Sequence, residues 1–220
     1  MIFGRKKEPE DLRERMIRKQ LESRGITDPA VLNAFRKLSR EEFVPDDMKD
    51  RAYEDRPLPI GSEQTISQPY MTALMTQALE CRPTSKVLEI GTGSGFQTAL
   101  LSILAGEVFT IETVPALAKE ARKRLERLGF ASNVHFLMAD GSLGLDSKAP
   151  FDRIVVTAAA PAVPTPLLEQ IAEDGILVVP VGDRYGQDLL RVRKVGGTLR
   201  RENLCPCVFV PLIGLGGFPE

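Results

Sequence analysis

The 220-residue chain carries a single histidine, His135, and only three cysteines, Cys81, Cys205 and Cys207. That is too few cysteines for a disulfide framework, and one histidine offers little for a zinc site, so no metal is expected. Cys205-Pro206-Cys207 reads as two reduced thiols on a strand interrupted by Pro206, or alternatively as a redox or ligand pair. No apolar run approaches the roughly 18 residues of a membrane span. The opening MIFGRKKEPE lacks the apolar core of a signal peptide, so a cytoplasmic location and no membrane partner are expected. An excess of positive charge is absent too: 29 basic residues face 30 acidic ones, for a net charge of −1 and a pI near 6.0. Binding to a phosphate backbone generally needs such an excess, so nucleic acid is not an expected partner.

What the chain does have is a core-sized apolar share, 43%, with 27% charge. One domain is expected over residues 1–220, with helices and a substrate loop in 1–80 and an α/β core in 81–220. Leu12, Met16 and Leu21 mark a first helix over residues 10–24, stopped by Gly25. A second starts on Asp28 as cap and Pro29 as first residue, with Val31, Leu32, Phe35 and Leu38 on one face. The Pro- and Asp-rich stretch that follows reads as a long loop leading into a helix from Pro69 to about Glu80. From residue 86, short β-rich runs alternate with helical ones. KVLEI precedes QTALLSILA, EVFTIE precedes PALAKEARKRLERLG, NVHFLMAD precedes a glycine-rich loop, FDRIVVTAAA precedes TPLLEQIAE, and GILVVPVG precedes DLLRVRKV. Such alternation predicts a doubly wound, mostly parallel sheet. LLRVRKV and CVFVPLIG have no long helix between them, so the sheet should finish antiparallel.

The first strand of this core runs into VLEIGTGSGFQ, with glycines at 91, 93 and 95. A dinucleotide fingerprint would place a glycine where Phe96 stands, so the spacing is not that of a pyrophosphate cradle. A merely structural glycine turn is the alternative. The next strand ends in Glu112, 21 residues after Gly91, where a carboxylate can accept ribose hydroxyls. Taken alone, Glu112 also reads as a solvated acid at a helix start. The third strand ends in Asp140, placed to accept from an adenine amino group. Backbone, ribose and base contacts thus fall on three successive strand ends. This resembles the class I S-adenosylmethionine methyltransferases, whose cofactor carries ribose and adenine but no phosphate.

The fourth strand is followed by TAAAP, residues 157–161, and not by the Asn/Asp-Pro-Pro-aromatic or Pro-Cys motifs of amine and cytosine methylation. An acceptor already anionic at neutral pH needs no base, and a carboxylate meets that requirement. The chain resembles the protein-L-isoaspartate O-methyltransferases in FVP at 43–45, YEDRPLPIG at 53–61, QTISQPYM at 64–71, VLEIGTGSGFQTALL at 87–101 and APFDRIVVTAAAP at 149–161. LLEQ at 167–170, LVVPVG at 177–182 and FVPL at 209–212 continue it. The sequence departs from that family's pattern at Phe96, where Tyr is usual, at Ala139 and at Thr113.

The resemblance implies a Rossmann-like fold with an N-terminal helical extension and S-adenosylmethionine as cofactor. It implies isoaspartyl-containing proteins and peptides as partners, with a monomer expected. Ser67 corresponds to the active-site serine that orients the acceptor carboxylate, although an N-terminal cap for the Pro69 helix is the simpler reading of the residue itself. Cofactor contacts correspond to Glu89, Gly91, Gly93, Glu112, Asp140 and Gly141, and substrate contacts to Gln64, Thr65 and Thr157. Two other functions stay open at this point: methylation of aspartate in a dedicated biosynthetic peptide, and S-adenosylmethionine binding without turnover.

Overall fold

The computed structural model describes residues 11–219; the opening ten residues, and the reading of them as no signal peptide, lie outside the described residues. Helix α1 (Leu12–Met16) starts on Asp11, whose carboxylate accepts from the Arg13 N–H at 2.9 Å. It continues through a wide turn at 17–21 and a tight one at 22–24, and Gly25 ends it at φ +91°. Helix α2 (Pro29–Lys37) begins as its sequence predicts: Asp28 accepts from Ala30 N–H and Val31 N–H, and Val31, Leu32 and Phe35 turn inward. Part of the segment read as irregular is a hairpin, β1 (Leu58–Gly61) against β2 (Gln64–Ile66). Ser62 and Glu63 at its tip both have positive φ, 51° and 57°. A twisted two-residue hairpin requires that geometry, and these two residues adopt it without glycine's freedom. Helix α3 (Pro69–Leu79) follows at once.

The core is a seven-stranded sheet in the order β5-β4-β3-β6-β7-β8-β9. Strands β3 (Lys86–Ile90), β4 (Glu107–Glu112), β5 (Val134–Met138), β6 (Phe151–Val156) and β7 (Ile171–Gly182) are parallel. The central strands β3 and β6 are buried on both faces, as a sheet covered by helices on both sides demands. Helices α4 (Phe96–Leu104), α5 (Pro115–Leu128) and the short α6 (Thr165–Glu169) connect them. α5 turns Leu117, Ala121 and Leu125 to the core and stops at Gly129, φ +80°. One apolar cluster joins α1 and α2 to α4 through Ile17, Leu21, Phe35, Phe96 and Leu100.

The antiparallel finish is present, with one of its two expected strands replaced. DLLRVRKV, set in a helical slot of the alternation but also read as a closing strand, is β8 (Gln187–Val195), and its partner is β9 (Thr198–Cys207), not CVFVPLIG. The hairpin turns on Gly196-Gly197, both at positive φ, a two-residue signal that outweighs the apolar character of the later segment. Residues 208–214 leave the sheet and cross its carboxyl edge, where Leu212 N–H donates to Ala159 O at 2.7 Å and Ala159 N–H to Val210 O at 2.8 Å. TPLLEQIAE likewise supplies only the one-turn α6 before β7 begins.

Candidate active site

The strand order reverses between β3 and β6, and open α/β sheets bind ligands at the carboxyl edge of that point. There Gly91 takes φ +94°, and a Cβ on it would lie 2.4 Å from Thr157 Oγ1. Thr157 donates its hydroxyl to Gly91 O at 2.7 Å, with Ile90 O at 3.1 Å, so β6 braces the glycine turn from beneath. At the next strand end, Glu112 is buried and its carboxylate is crowded with donors. Gly93 N–H reaches Oε2 at 2.8 Å, while Thr113 N–H and Val114 N–H reach Oε1 at 2.9 and 3.0 Å. Glu112 therefore fixes the glycine loop and the start of α5 at once.

A cleft opens along this edge, lined by Gly91, Gly93, Glu112, Gly141 and Thr157, with Gln64 and Thr65 above and residues 210–213 as its far wall. Its lining holds one carboxylate and neither lysine nor arginine. Such a donor set suits a nucleoside with free hydroxyls and no phosphate. Gly141 is also required by space, since a Cβ there would fall 2.5 Å from Ile90 Cγ2.

Two further residues assigned to cofactor contact do not line this cleft directly: Glu89 lies under the turn, and Asp140 stands beside the cleft, next to Gly141. Glu89 is fully buried beneath the turn; Thr98 donates to its Oε2 at 2.6 Å and its Oε1 has no partner. Burial, with the Glu112 charge in the same sense, pushes its carboxyl up to about 8, so it is mainly neutral at pH 7. Asp140 is held by the protein on both oxygens, with one lone-pair position left on Oδ2. Oδ1 accepts from Ser142 N–H and Oγ–H, and Oδ2 from Leu215 N–H at 2.8 Å. Burial raises its carboxyl, and these hydrogen bonds outweigh that and hold it below the ordinary range. Asp140 thus fastens the strap that ends the chain, and Ser142 Oγ fastens it again through Gly216 N–H at 2.8 Å.

Above the turn, the β1–β2 hairpin hands over to α3 at Ser67. The capping position of α3 is Gln68, and no side chain makes a capping hydrogen bond. Ser67 Oγ bonds to no protein group among the described residues. It faces two hollows. One runs down to Gly91, Thr92, Gly93, Ser94, Phe96 and Gln97; the other, an open groove, is walled by Pro57, Gln68, Met71 and residues 206–210. Thr65 and Thr157 line both of these and the cleft at the strand ends as well. The three spaces therefore meet above Thr157.

Sequence reasoning missed the wall formed by residues 208–213, because an apolar run after a strand reads as another strand. It also missed Gln97 and Thr92, which carry no motif beyond the glycines. His135 lies on β5, stacked on Phe109 and bonded to Glu107 at 2.9 Å, away from the cleft. All three cysteines are free, and burial raises their thiols, Cys81 and Cys207 to about 12. Such thiols are weak nucleophiles and weak ligands. Among the described residues no group of histidine, cysteine and acidic side chains is arranged to hold a metal, and no helix is long and apolar enough to cross a membrane.

Residues 11–216 match the family described as protein-L-isoaspartate(D-aspartate) O-methyltransferase. The chain is 52% identical to protein-L-isoaspartate O-methyltransferase 1 of Syntrophobacter fumaroxidans, covering 94% of this chain and 96% of that one. It is 53% identical to protein-L-isoaspartate O-methyltransferase 2 of Pelobacter propionicus, over 94% and 92%. Among solved structures, one of a protein-L-isoaspartate O-methyltransferase superposes with a TM-score of 0.83 at 29% identity, covering 93% of this chain and 67% of the other. A Plasmodium falciparum protein-L-isoaspartate O-methyltransferase in complex with S-adenosyl-L-homocysteine superposes at 0.79 with 26% identity, over 93% and 99%.

Proposed function

Because the chain belongs to the protein-L-isoaspartate(D-aspartate) O-methyltransferase family, we propose that methyl transfer occurs where the nucleoside cleft and the Ser67 groove meet, between Thr65 and Thr157. The reaction esterifies the α-carboxylate of L-isoaspartyl residues in damaged proteins. S-adenosylmethionine supplies the methyl group on a cationic sulfur, which makes it open to direct displacement. Glu112 accepts from the ribose of that cofactor, the main chain of Gly91 and Gly93 borders it, and Gly141 borders the base.

On the acceptor side, the Ser67 hydroxyl has no competing protein partner among the described residues and donates to the isoaspartyl carboxylate, turning one oxygen toward the cleft. Thr65 and Gln64 wall the same passage. Thr157 acts through the backbone: its proton is committed to Gly91 O, so it holds the turn and leaves the acceptor to Ser67. No general base is called for, since a carboxylate with a reference pKa near 4 is ionised at neutral pH. The methyl ester is a better leaving group than the carboxylate. The neighbouring backbone nitrogen closes a succinimide with loss of methanol, and hydrolysis returns part of the product as normal aspartate. Residues 1–80 supply the acceptor loop and 81–220 the cofactor cleft, working as one unit within a single chain.

The observation that carries this reading is the uncommitted Ser67 hydroxyl at the junction of the hollows. Ser67→Ala is expected to lower turnover on an isoaspartyl peptide at least tenfold, about 1.4 kcal/mol in barrier, with S-adenosylmethionine affinity and thermal midpoint unchanged. Full turnover with a loss of about 1 kcal/mol in stability would mark Ser67 as a helix cap instead.

A further inference from the structure

The largest fully buried side chain among the described residues is an arginine, Arg40, at the head of the short turn Arg40–Phe43. Its Nε donates to Ala52 O at 2.8 Å and its Nη2 to Ser67 O at 2.7 Å. Nη1 is buried and has no partner. The guanidinium carbon lies 5.0 Å from the centroid of Phe96, which lines the hollow under Ser67 and is gripped edge-on by Phe35 and Phe43. No carboxylate of the described residues pairs with Arg40. The adjacent Glu41 is taken by the Tyr53 hydroxyl. Desolvation weakens the guanidinium's hold on its proton and brings it down to about 9, which still leaves it cationic at neutral pH.

A buried cation without a counter-charge, with one nitrogen unpartnered, costs folding free energy that an apolar side chain of similar volume would not. Features that break the rules of core packing in this way concentrate at functional sites. This one sits directly behind the loop on which an anionic acceptor is to be held. We propose that Arg40 is a positioning residue for the acceptor: its fork fixes the Ser67 main chain against Ala52, and its uncancelled charge favours a carboxylate in front of Ser67. The proposal rests on the reading that Ser67 meets the acceptor. Arg40 itself touches neither the acceptor nor the cofactor. Lysine keeps the charge but cannot span two carbonyls with a rigid fork, so the two parts of the role are separable.

The test is steady-state kinetics of Arg40→Lys and Arg40→Met on an isoaspartyl peptide. Rates are expressed per mole of sites that bind S-adenosyl-L-homocysteine by calorimetry, so a partly folded preparation is still compared with wild type site for site. Arg40→Lys should lose at least tenfold in kcat with KM for the peptide within threefold of wild type. Arg40→Met should show the same loss in kcat and in addition at least a tenfold rise in KM. Affinity for S-adenosyl-L-homocysteine should stay within twofold in both. Full kcat and KM per binding site in either variant would overturn the role of Arg40, as would losses matched by an equal loss of S-adenosyl-L-homocysteine affinity. Ser67→Ala in the same assay separates the two readings: full activity there would overturn the Ser67 reading and this proposal with it, whereas impaired Ser67→Ala beside normal Arg40 variants would overturn the proposal alone.

Discussion

Replacing Glu112 by glutamine changes one atom in a carboxylate that the protein has nearly filled. Its two oxygens offer about four lone-pair positions. Thr113 and Val114 N–H groups take both on Oε1, and Gly93 N–H takes one on Oε2. One strong position remains, on the cleft side, for a ribose hydroxyl. Glutamine would keep its oxygen toward the two α5 amides, and its NH2 would then face the Gly93 N–H and the incoming hydroxyl as a donor. The variant should therefore lose one charge-assisted bond to the cofactor, roughly 1.5–3 kcal/mol, or about 10- to 150-fold in affinity. It should also lose the tether on Gly93, seen as a lower thermal midpoint without ligand. Calorimetric titration with S-adenosyl-L-homocysteine measures the first effect and a melting curve the second. Unchanged affinity in a folded Glu112→Gln protein would remove Glu112 from the ribose site and refute the assignment of its fourth lone pair to the cofactor.

Gly91→Ala should cost roughly 2 kcal/mol or more in stability, because a Cβ meets Thr157 Oγ1 at 2.4 Å and the φ of +94° is strained for alanine. Adding Thr157→Ala should return only part of that loss in chemical denaturation, and full recovery would show that the backbone there is unstrained. Glu89 gives a pH signature. Its carboxyl is raised in the folded protein, so folding retains a proton, and the stability it contributes is present below about pH 4.5 and lost as pH rises toward 8. Glu89→Gln should gain on wild type by on the order of 3 kcal/mol between pH 5 and pH 8, and a constant difference over that range would show Glu89 to be ionised throughout.

Much of the fold was legible because the relevant forces are local. Asp28-Pro29, Gly25 and Gly129 mark helix ends through backbone geometry alone, and the alternation from residue 86 reflects strands covered on both faces. The C-terminal order was less legible because turn chemistry at Gly196-Gly197 competes with hydrophobic patterning, and the patterning of CVFVPLIG pointed the other way. At the site, the glycines, Glu112 and Ser67 belong to short contiguous motifs. Glu89 and Asp140 have the right residue type at the right strand end, yet what an acid does there depends on which neighbours donate to it. Thr98 and Leu215 are those neighbours, distant in sequence for Asp140 and unmarked for Glu89. Arg40 had no sequence signal, since an arginine among charged residues reads as surface until Ala52 and Ser67 are seen to close over it.

The proposed acceptor carries its carboxylate on the α-carbon while the backbone runs through the side chain, a geometry that ordinary aspartate does not present. The most direct measurement is methyl transfer by the purified protein to a pair of peptides identical except for isoaspartate or aspartate at one position. The isoaspartyl peptide should be methylated at least a hundredfold better in kcat/KM, about 2.7 kcal/mol of discrimination, at rates nearly constant from about pH 6 to 8, with the ester then losing methanol. Equal methylation of the two peptides, or methylation of neither, would contradict isoaspartyl-selective methyl transfer.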